Sequence, residues 1–260
     1  VDVSVIKIFE NNIPQFLQVN HLDGNYQLKR AGRLVLRKTI PLEPDRPVDR
    51  GNWNAYSLDL AKLIEPDPGA IYRIQIGFRK QHSLYHCDDQ PEQDETGYIM
   101  PEENWEEDLE EEISYWDAAE DYYNDDYGYY YDWEEREDPC SPAYYGARRN
   151  LSRNILASDL GIIAKGGNGR SMFFAVTSLL STEPMANVNL EIYNYQHQLT
   201  GTVSTNSQGT AEIKIDSKPF LLIARHGNQR GYLRLDDGSS LSMSAFKVSG
   251  NPVQKGLKGY

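Results

Sequence analysis

Cys87 and Cys140 are the only two cysteines of the 260-residue chain, and their pairing is the first chemistry to consider. A disulfide between them would close a loop of about 54 residues and stabilise the fold by about 4 kcal/mol in the chain-entropy model. The alternative is two free, buried thiols. We favour the disulfide because the pair brackets a segment of unusual composition. Such a bond would imply an oxidising compartment.

The histidines are the next candidates for metal binding or proton transfer, and none lies in an H-E-x-x-H motif. His82 and His86 have the i, i+4 spacing that binds zinc only on a helix, whereas both follow a strand-like pattern. The sequence also contains no nucleophile elbow and no phosphate-binding loop. We therefore expect no catalytic site, no metal site, no cofactor and no enzymatic activity. The five histidines are His21, His82, His86, His197 and His226.

The segment between the cysteines, residues 88–139, is the acidic insertion. It holds 23 of the 39 acidic residues and a single base, Arg136, so its net charge is −22, while the rest of the chain carries +9. The protein is therefore a mildly basic scaffold with one acidic, aromatic-rich insertion. Because this charge would repel nucleic acid, we expect no nucleic-acid partner. The insertion could instead dock a basic partner or cover another domain of the same chain.

Calcium binding is an alternative role for the acidic insertion, because clustered carboxylates are calcium ligands. With Gly128 at the sixth position of a twelve-residue calcium loop, Glu134 falls at the twelfth and Tyr123 at the first. A tyrosine cannot supply the carboxylate that the first position requires, so the motif fails. We favour a solvated acidic surface.

An apolar stripe runs through the acidic insertion. Its residues are Trp105, Leu109, Ile113 and Trp116, spaced by four, four and three positions, which predicts a helix near residues 102–123. Clustered carboxylates would repel one another on an isolated helix. We therefore expect the helix to form with this stripe as a docking face against the scaffold.

The rest of the chain shows strand patterns. Apolar residues alternate in Val1–Val5 and Tyr72–Phe78, and no segment of residues 1–87 keeps a helical pattern beyond one turn. Residues 150–250 repeat such strands about every ten positions, as a sandwich requires. The prediction is an all-β protein of two immunoglobulin-like antiparallel β-sandwiches, residues 1–87 and 150–250. The insertion region, residues 88–149, lies between them, and residues 251–260 form a linker into a further domain. No apolar run is long enough to span a membrane.

The second half of the chain resembles the macroglobulin domains of bacterial alpha-2-macroglobulins. The resemblance is carried by Ala157–Lys165 (ASDLGIIAK), Ala175–Leu179, Thr182–Tyr195, Leu221–Arg225 and Tyr232–Asp237. It is closest over residues 150–260 and weaker over residues 1–87. These are strand and turn patterns, so they indicate a fold more than a site.

This resemblance implies a scaffold segment from the N-terminal part of a large protease trap. In such proteins a bait segment is cut, the molecule rearranges, and the protease is enclosed or caught by an internal thioester. The implied location is the periplasm or cell envelope, with a lipid anchor in the full-length protein. The implied partners are other domains of the same chain and, through the full-length protein, proteases. This segment itself would make no membrane contact.

The family's own reactive features are not expected in this segment. Cys87-Asp88-Asp89-Gln90 has the spacing of the family's C-x-E-Q thioester with Asp in place of Glu, but Cys87 follows a strand and Cys140 offers a partner. The acidic insertion is a poor bait because it holds one base and a predicted helix, which would resist cleavage. We expect both the thioester and the bait to lie outside the segment.

A surface adhesin or a glycan-binding immunoglobulin-like module is the alternative function, since sandwich folds host many activities. Its tyrosines and tryptophans could stack on sugars. A C-x-E-Q motif in a helical domain downstream would favour the trap, and tandem sandwiches with an anchor would favour the adhesin.

Hydrogen exchange tests the helix of the insertion. If the stripe docks, the amides of residues 102–123 are expected to exchange more slowly than those of the tyrosine-rich residues 124–133, because backbone bonds under a packed face open rarely. Fast exchange throughout residues 102–123 would contradict both the helix and its docking.

Overall fold

The computed structural model describes residues 1–42, 52–87, 134–145, 150–166 and 170–235. These residues form three antiparallel sheets and one short α-helix, so the expected antiparallel, nearly all-β fold class is confirmed. The predicted helix at residues 102–123 lies outside the described residues. No helix in the described ranges is long and apolar enough to cross a membrane.

The chain divides into two compact units. Unit 1 comprises Val1–Pro66 and Ala70–Ile155, and unit 2 comprises Asp67–Gly69 and Leu156–Tyr260. We expected the second domain to begin at residue 150. The division falls later because residues 151–156 form a strand of the first sheet.

Unit 1 contains a four-stranded sheet with the order β2-β1-β3-β4. The central strand β1 pairs with β2 on one side and with β3 on the other, antiparallel in both cases. Its side chains are buried on both faces, with Val3, Val5 and Ile8 fully inaccessible. The strands are β1 (Asp2–Ile8), β2 (Gly32–Thr39), β3 (Ile71–Gly77) and β4 (Leu151–Leu156).

A helix, α1 (Ile13–Val19), follows β1 where the sequence showed no helical pattern longer than one turn. Pro14 occupies the first turn of this helix, where its missing N–H has no intrahelical partner to lose. Ile13, Phe16 and Leu17 are buried and have the i, i+3, i+4 spacing of a helix face. The sequence analysis did not predict this short helix.

A second local difference concerns Leu58 and Leu60, which alternate around Asp59 like a strand. In the structure, Leu60–Lys62 form a single 3₁₀ turn. The Asp59 carboxylate accepts a hydrogen bond from the backbone N–H of Ala61 at 3.2 Å. This side chain caps the turn and so competes with a strand conformation.

Unit 2 is a β-sandwich of two antiparallel sheets. One has the order β11-β10-β7-β8 and the other β5-β6-β9. The strands are β5 (Leu160–Gly166), β6 (Ser171–Ser178), β7 (Asn189–Tyr193), β8 (Leu199–Ser204), β9 (Thr210–Lys214), β10 (Leu221–His226) and β11 (Gln229–Arg234).

Period-two alternation builds the core of unit 2. The inner faces of β6 and β7 contribute Phe174, Val176, Leu190 and Ile192, all essentially inaccessible to solvent. Burial of such side chains supplies the main driving force for the sandwich, at about 1.5–3 kcal/mol each.

Two glycines allow the sheets of unit 2 to approach at their edges. A Cβ on Gly201 of β8 would lie 2.9 Å from the Ile213 side chain, and one on Gly231 of β11 would lie 2.6 Å from Ile162. A side chain at either position would require the end of the Ile213 or the Ile162 side chain to shift. This close approach shields strand edges that would otherwise be open.

Candidate functional site

The base of the acidic insertion is the place where the predicted site residues can be located. The structure joins Cys87 and Cys140 by a disulfide with an S–S distance of 2.07 Å and a Cα–Cα distance of 5.6 Å. The two ends of the insertion are therefore held close together. The disulfide closes the base of the insertion.

The returning chain, residues 134–145, is held by its own hydrogen bonds. The Tyr145 hydroxyl donates to the Pro139 carbonyl at 2.7 Å, and the Ser141 hydroxyl donates to the Glu135 carboxylate at 2.7 Å. The Tyr145 ring also contacts the Phe78 ring edge to face, with centroids 5.4 Å apart. Because Phe78 directly follows β3, this contact anchors the returning chain at the end of that strand.

A buried carboxylate, Asp2, lies at the same end of the sheet. It is 4% exposed. Its two oxygens accept hydrogen bonds from Arg79 Nε at 2.8 Å, from Arg79 Nη2 at 3.2 Å and from the hydroxyl of Thr39 at 2.7 Å. Thr39 is also its direct partner in the β1–β2 register. The cluster therefore links β1, the end of β2 and the residues that follow β3.

Both titratable groups of this cluster have shifted pKa values. Burial raises the pKa of Asp2, but the hydrogen bonds from Arg79 and Thr39 and the charge of Arg79 together outweigh it, so the pKa lies below its ordinary value of 3.8. Burial lowers the pKa of His82. The charge of Asp2, whose Oδ2 lies 3.8 Å from His82 Nδ1, raises it, but burial and the nearby charge of Arg79 outweigh this effect. Asp2 therefore stays ionised and His82 favours the neutral form.

A second polar cluster fixes the strand that follows the insertion. The Asn154 side-chain amide on β4 donates to the carbonyls of Leu22 and Gly24, at 2.8 Å in both cases. The buried Arg73 of β3 donates to the Asn154 side-chain oxygen at 3.0 Å. These bonds hold β4 against the turn at residues 22–24, so the chain leaving the insertion enters the sheet in a defined register.

In unit 2 the outer face of β7 and β10 carries a local polar network. Arg225 Nε lies 3.1 Å from the Glu191 carboxylate, and the Tyr193 hydroxyl donates to the same carboxylate at 2.9 Å. Burial and the hydrogen bond to Glu191 raise the pKa of Tyr193. Nearby, Tyr232 is buried, and burial raises its pKa to about 12. All four residues lie on strands of the same sheet, β11-β10-β7-β8.

The other predicted site residues separate into two groups. The docking face, Trp105, Leu109, Ile113 and Trp116, lies outside the described residues, as does Gln90. His82 faces Asp2, whereas His86 is exposed. Within the described ranges, no group of three or more His, Cys, Asp or Glu side chains is arranged to hold a metal.

Sequence analysis missed Asp2, Arg79 and Thr39. Asp2 alternates with valines at the start of β1, a pattern that predicts a solvent-facing position. Its burial depends on Thr39 at the end of β2 and on Arg79 beyond β3. No local signal in the sequence indicates these two partners.

Comparison with known proteins gives a family match for the second half of the chain. The model of the bacterial alpha-2-macroglobulin MG3 domain matches residues 157–253. This match confirms the resemblance that the sequence suggested for this region. A search among curated proteins found no match.

Solved structures of alpha-2-macroglobulins are similar over most of the chain at low identity. The native Escherichia coli protein spanning domains NIE-MG1 is 14% identical, with 90% of this chain and 83% of that chain covered and a TM-score of 0.47. The cryo-EM structure of native E. coli alpha-2-macroglobulin is 15% identical, with 90% and 11% covered and a TM-score of 0.48. A Salmonella alpha-2-macroglobulin mutant is 17% identical, with 97% and 11% covered and a TM-score of 0.44. The chain thus spans about a tenth of the last two proteins.

Replacing Asp2 with Asn tests the buried ion pair. The variant is expected to lose about 1–3 kcal/mol of unfolding free energy near neutral pH, because Arg79 keeps its charge but loses its anionic partner. The folded-state pKa of Asp2 is lowered, so its contribution is present above 3.8 and is lost as the pH falls through the folded value. Urea unfolding should therefore show the wild-type and variant stabilities converging well below pH 3.8.

The exposed pair Asp59–Lys62, 3.6 Å apart, supplies the control. Asp59→Asn is expected to cost about 1 kcal/mol or less, since exposed ion pairs contribute little. An Asp2→Asn variant as stable as wild type near neutral pH would contradict the role of the buried pair.

Proposed function

We propose that the chain is part of the framework of a protease inhibitor of the bacterial alpha-2-macroglobulin family, because residues 157–253 match the model of that family's MG3 domain. The observation that carries the proposal is the agreement between this match and the sandwich of unit 2. The seven strands of that sandwich, β5 to β11, fall inside the matched range. The framework holds other domains of the full-length protein in place and takes no catalytic part.

The polar chemistry of the described residues supports a framework role. Asp2 is neutralised by Arg79, and Glu191 by Arg225. Each carboxylate accepts hydrogen bonds from its basic partner and from a hydroxyl group, an arrangement that stabilises strands. A general acid or base would instead need a pKa near the working pH.

The thioester of the proposed inhibitor would lie outside this chain. Cys87 has the family spacing to Gln90, but the disulfide places the Cys87 sulfur on Cys140. A sulfur in a disulfide cannot also form an acyl bond to a glutamine side chain. Unit 1 would then present the acidic insertion, with its stripe of Trp105, Leu109, Ile113 and Trp116 docked on the scaffold.

The disulfide also bears on location. A bond of this kind persists in oxidising compartments such as the bacterial periplasm and the cell surface. We therefore place the full-length protein in the periplasm or cell envelope, held there by a lipid anchor on another part of the chain. Its partners would be its own neighbouring domains and, through the complete molecule, proteases.

Enclosure of a protease tests the proposed function on the full-length protein. After incubation with the inhibitor, a protease is expected to lose most of its activity on a large protein substrate and to keep its activity on a small peptide substrate, since enclosure excludes by size. The 260-residue chain alone is expected to leave both activities unchanged. Equal activity on both substrates with the full-length protein would contradict the proposal.

Methylamine labelling and disulfide mapping test the assignment of Cys87. Digestion without reduction is expected to yield a peptide pair linked through Cys87 and Cys140. Methylamine, which opens thioesters, is expected to give no incorporation at Gln90. Two free thiols would refute the disulfide, and a methylamide at Gln90 would show that this segment contains the reactive centre after all.

A further inference from the structure

A stretch of unit 1 between β2 and β3, residues 52–57, is exposed at every position. We call these six residues the exposed segment. Its sequence is NWNAYS, and Trp53 is as accessible as in an extended peptide, at 102%, while Tyr56 is 46% exposed. Large aromatic side chains normally bury much of their surface, so a fully solvated tryptophan on a surface segment calls for an explanation.

The backbone of this region belongs to no regular structure. Residues 53–59 lie in no helix, strand or turn, and the next ordered element is the 3₁₀ turn at Leu60–Lys62. The Asn54 side-chain amide donates to the Asn52 carbonyl at 2.8 Å, which is a bond within the segment itself. A segment of this kind can adopt the extended shape that a protease requires without unfolding its domain.

Several other exposed aromatic residues of the described ranges are tied to their surroundings. Tyr26 is held through its backbone by the Asn20 side chain, and Phe173 lies within β6. Tyr195 lies in a turn closed by the hydrogen bond from Asn194 to Gln198. Tyr85 is 61% exposed, and its backbone N–H donates to the Ser83 hydroxyl at 3.1 Å. Trp53 is the most exposed aromatic side chain of the described residues.

We propose that the exposed segment is a cleavage site for chymotrypsin-like proteases, which cut after large aromatic residues. The bonds cut are the peptide bonds after Trp53 and after Tyr56. In each, water adds across the C–N bond: its hydroxyl joins the carbonyl carbon to give a carboxylic acid, and its proton goes to the departing amine. The protease and water are the only reactants needed.

The cut would leave unit 1 assembled. The N-terminal piece would carry β1, α1 and β2, and the C-terminal piece would carry β3 and β4. The two pieces remain joined along the whole length of β1, because it pairs with β3 from Asp2 to Ile8. The Arg79–Asp2 ion pair also crosses the cut. The disulfide joins residues of the C-terminal piece alone, so the pieces would be held by noncovalent contacts only.

This cleavage site is independent of the proposed inhibitor role and distinct from the acidic insertion. A cut inside the insertion would leave its two pieces linked through Cys87 and Cys140, whereas a cut in the exposed segment would not. The two sites can therefore be told apart on a denaturing gel without reduction.

Limited proteolysis of the 260-residue chain with chymotrypsin tests the proposal. Products that end at Trp53 or Tyr56 by mass spectrometry are expected to appear about tenfold or more faster than products cut at Phe173, because a bond inside a strand must open before it is cut. The pieces should co-elute on gel filtration and separate in denaturant without reduction. Products ending at Trp53 or Tyr56 that appear no faster than those cut at Phe173, or pieces that separate in native buffer, would overturn the proposal.

Two sets of variants sharpen the test. Trp53→Ala with Tyr56→Ala removes the aromatic side chains that the protease recognises. Asn54→Pro with Ser57→Pro keeps them but places proline after each bond to be cut, where it lacks the N–H and the free φ of other residues. Both double variants are expected to slow cleavage within the exposed segment about tenfold or more relative to wild type. Tyr195→Ala, which replaces an equally exposed aromatic in a closed turn, should leave the rate unchanged. Loss of cleavage in the Tyr195→Ala variant, or normal cleavage in both sets, would contradict the assignment.

Discussion

The hydrogen bonding of β1 on both sides is the interaction on which unit 1 depends. This strand opens the chain, yet it lies inside the sheet, with β2 along one edge and β3 along the other. Its side chains are buried on both faces, as expected for a central strand. The ion pair of Asp2 starts from this strand. The insertion follows β3, which is hydrogen-bonded to β1.

The central position of β1 explains how an acidic insertion can be carried without disturbing the sheet. The insertion is introduced after β3 and returns before β4, so both neighbours of β1 are complete without it. The disulfide and the contact between Phe78 and Tyr145 then close its base. Residues outside 88–139 carry a net charge of +9 and the insertion carries −22, so the scaffold attracts the insertion electrostatically.

Period-two patterns predicted much of the fold. β3, β7 and β9 lie where the alternation of apolar residues indicated strands, because this signal is local. Three features could not be found in this way. Helix α1 is only seven residues long, so its apolar face comprises little more than one turn. Strand β4 exposes Leu151 and Ile155, which reverses the usual pattern for a half-buried strand.

The third such feature is the cluster around Asp2, because burial of a carboxylate depends on partners that are distant in sequence. Arg79 lies 77 positions away and Thr39 lies 37 positions away. The pairing of Cys87 with Cys140 was easier to infer because the composition between the two residues changes so sharply. Long-range electrostatic contacts leave no comparable mark on the sequence around either partner.

The closeness of Cys87 and Cys140 has a consequence for how this protein can change over evolutionary time. Because the two Cα atoms are 5.6 Å apart, the disulfide holds the two ends of the intervening chain close together. Doubling the length of such a loop costs only about 0.6 kcal/mol in closure entropy. Descendants of this gene can therefore lengthen, shorten or exchange the intervening residues, acquiring new surface chemistry while the strands on either side remain as they are.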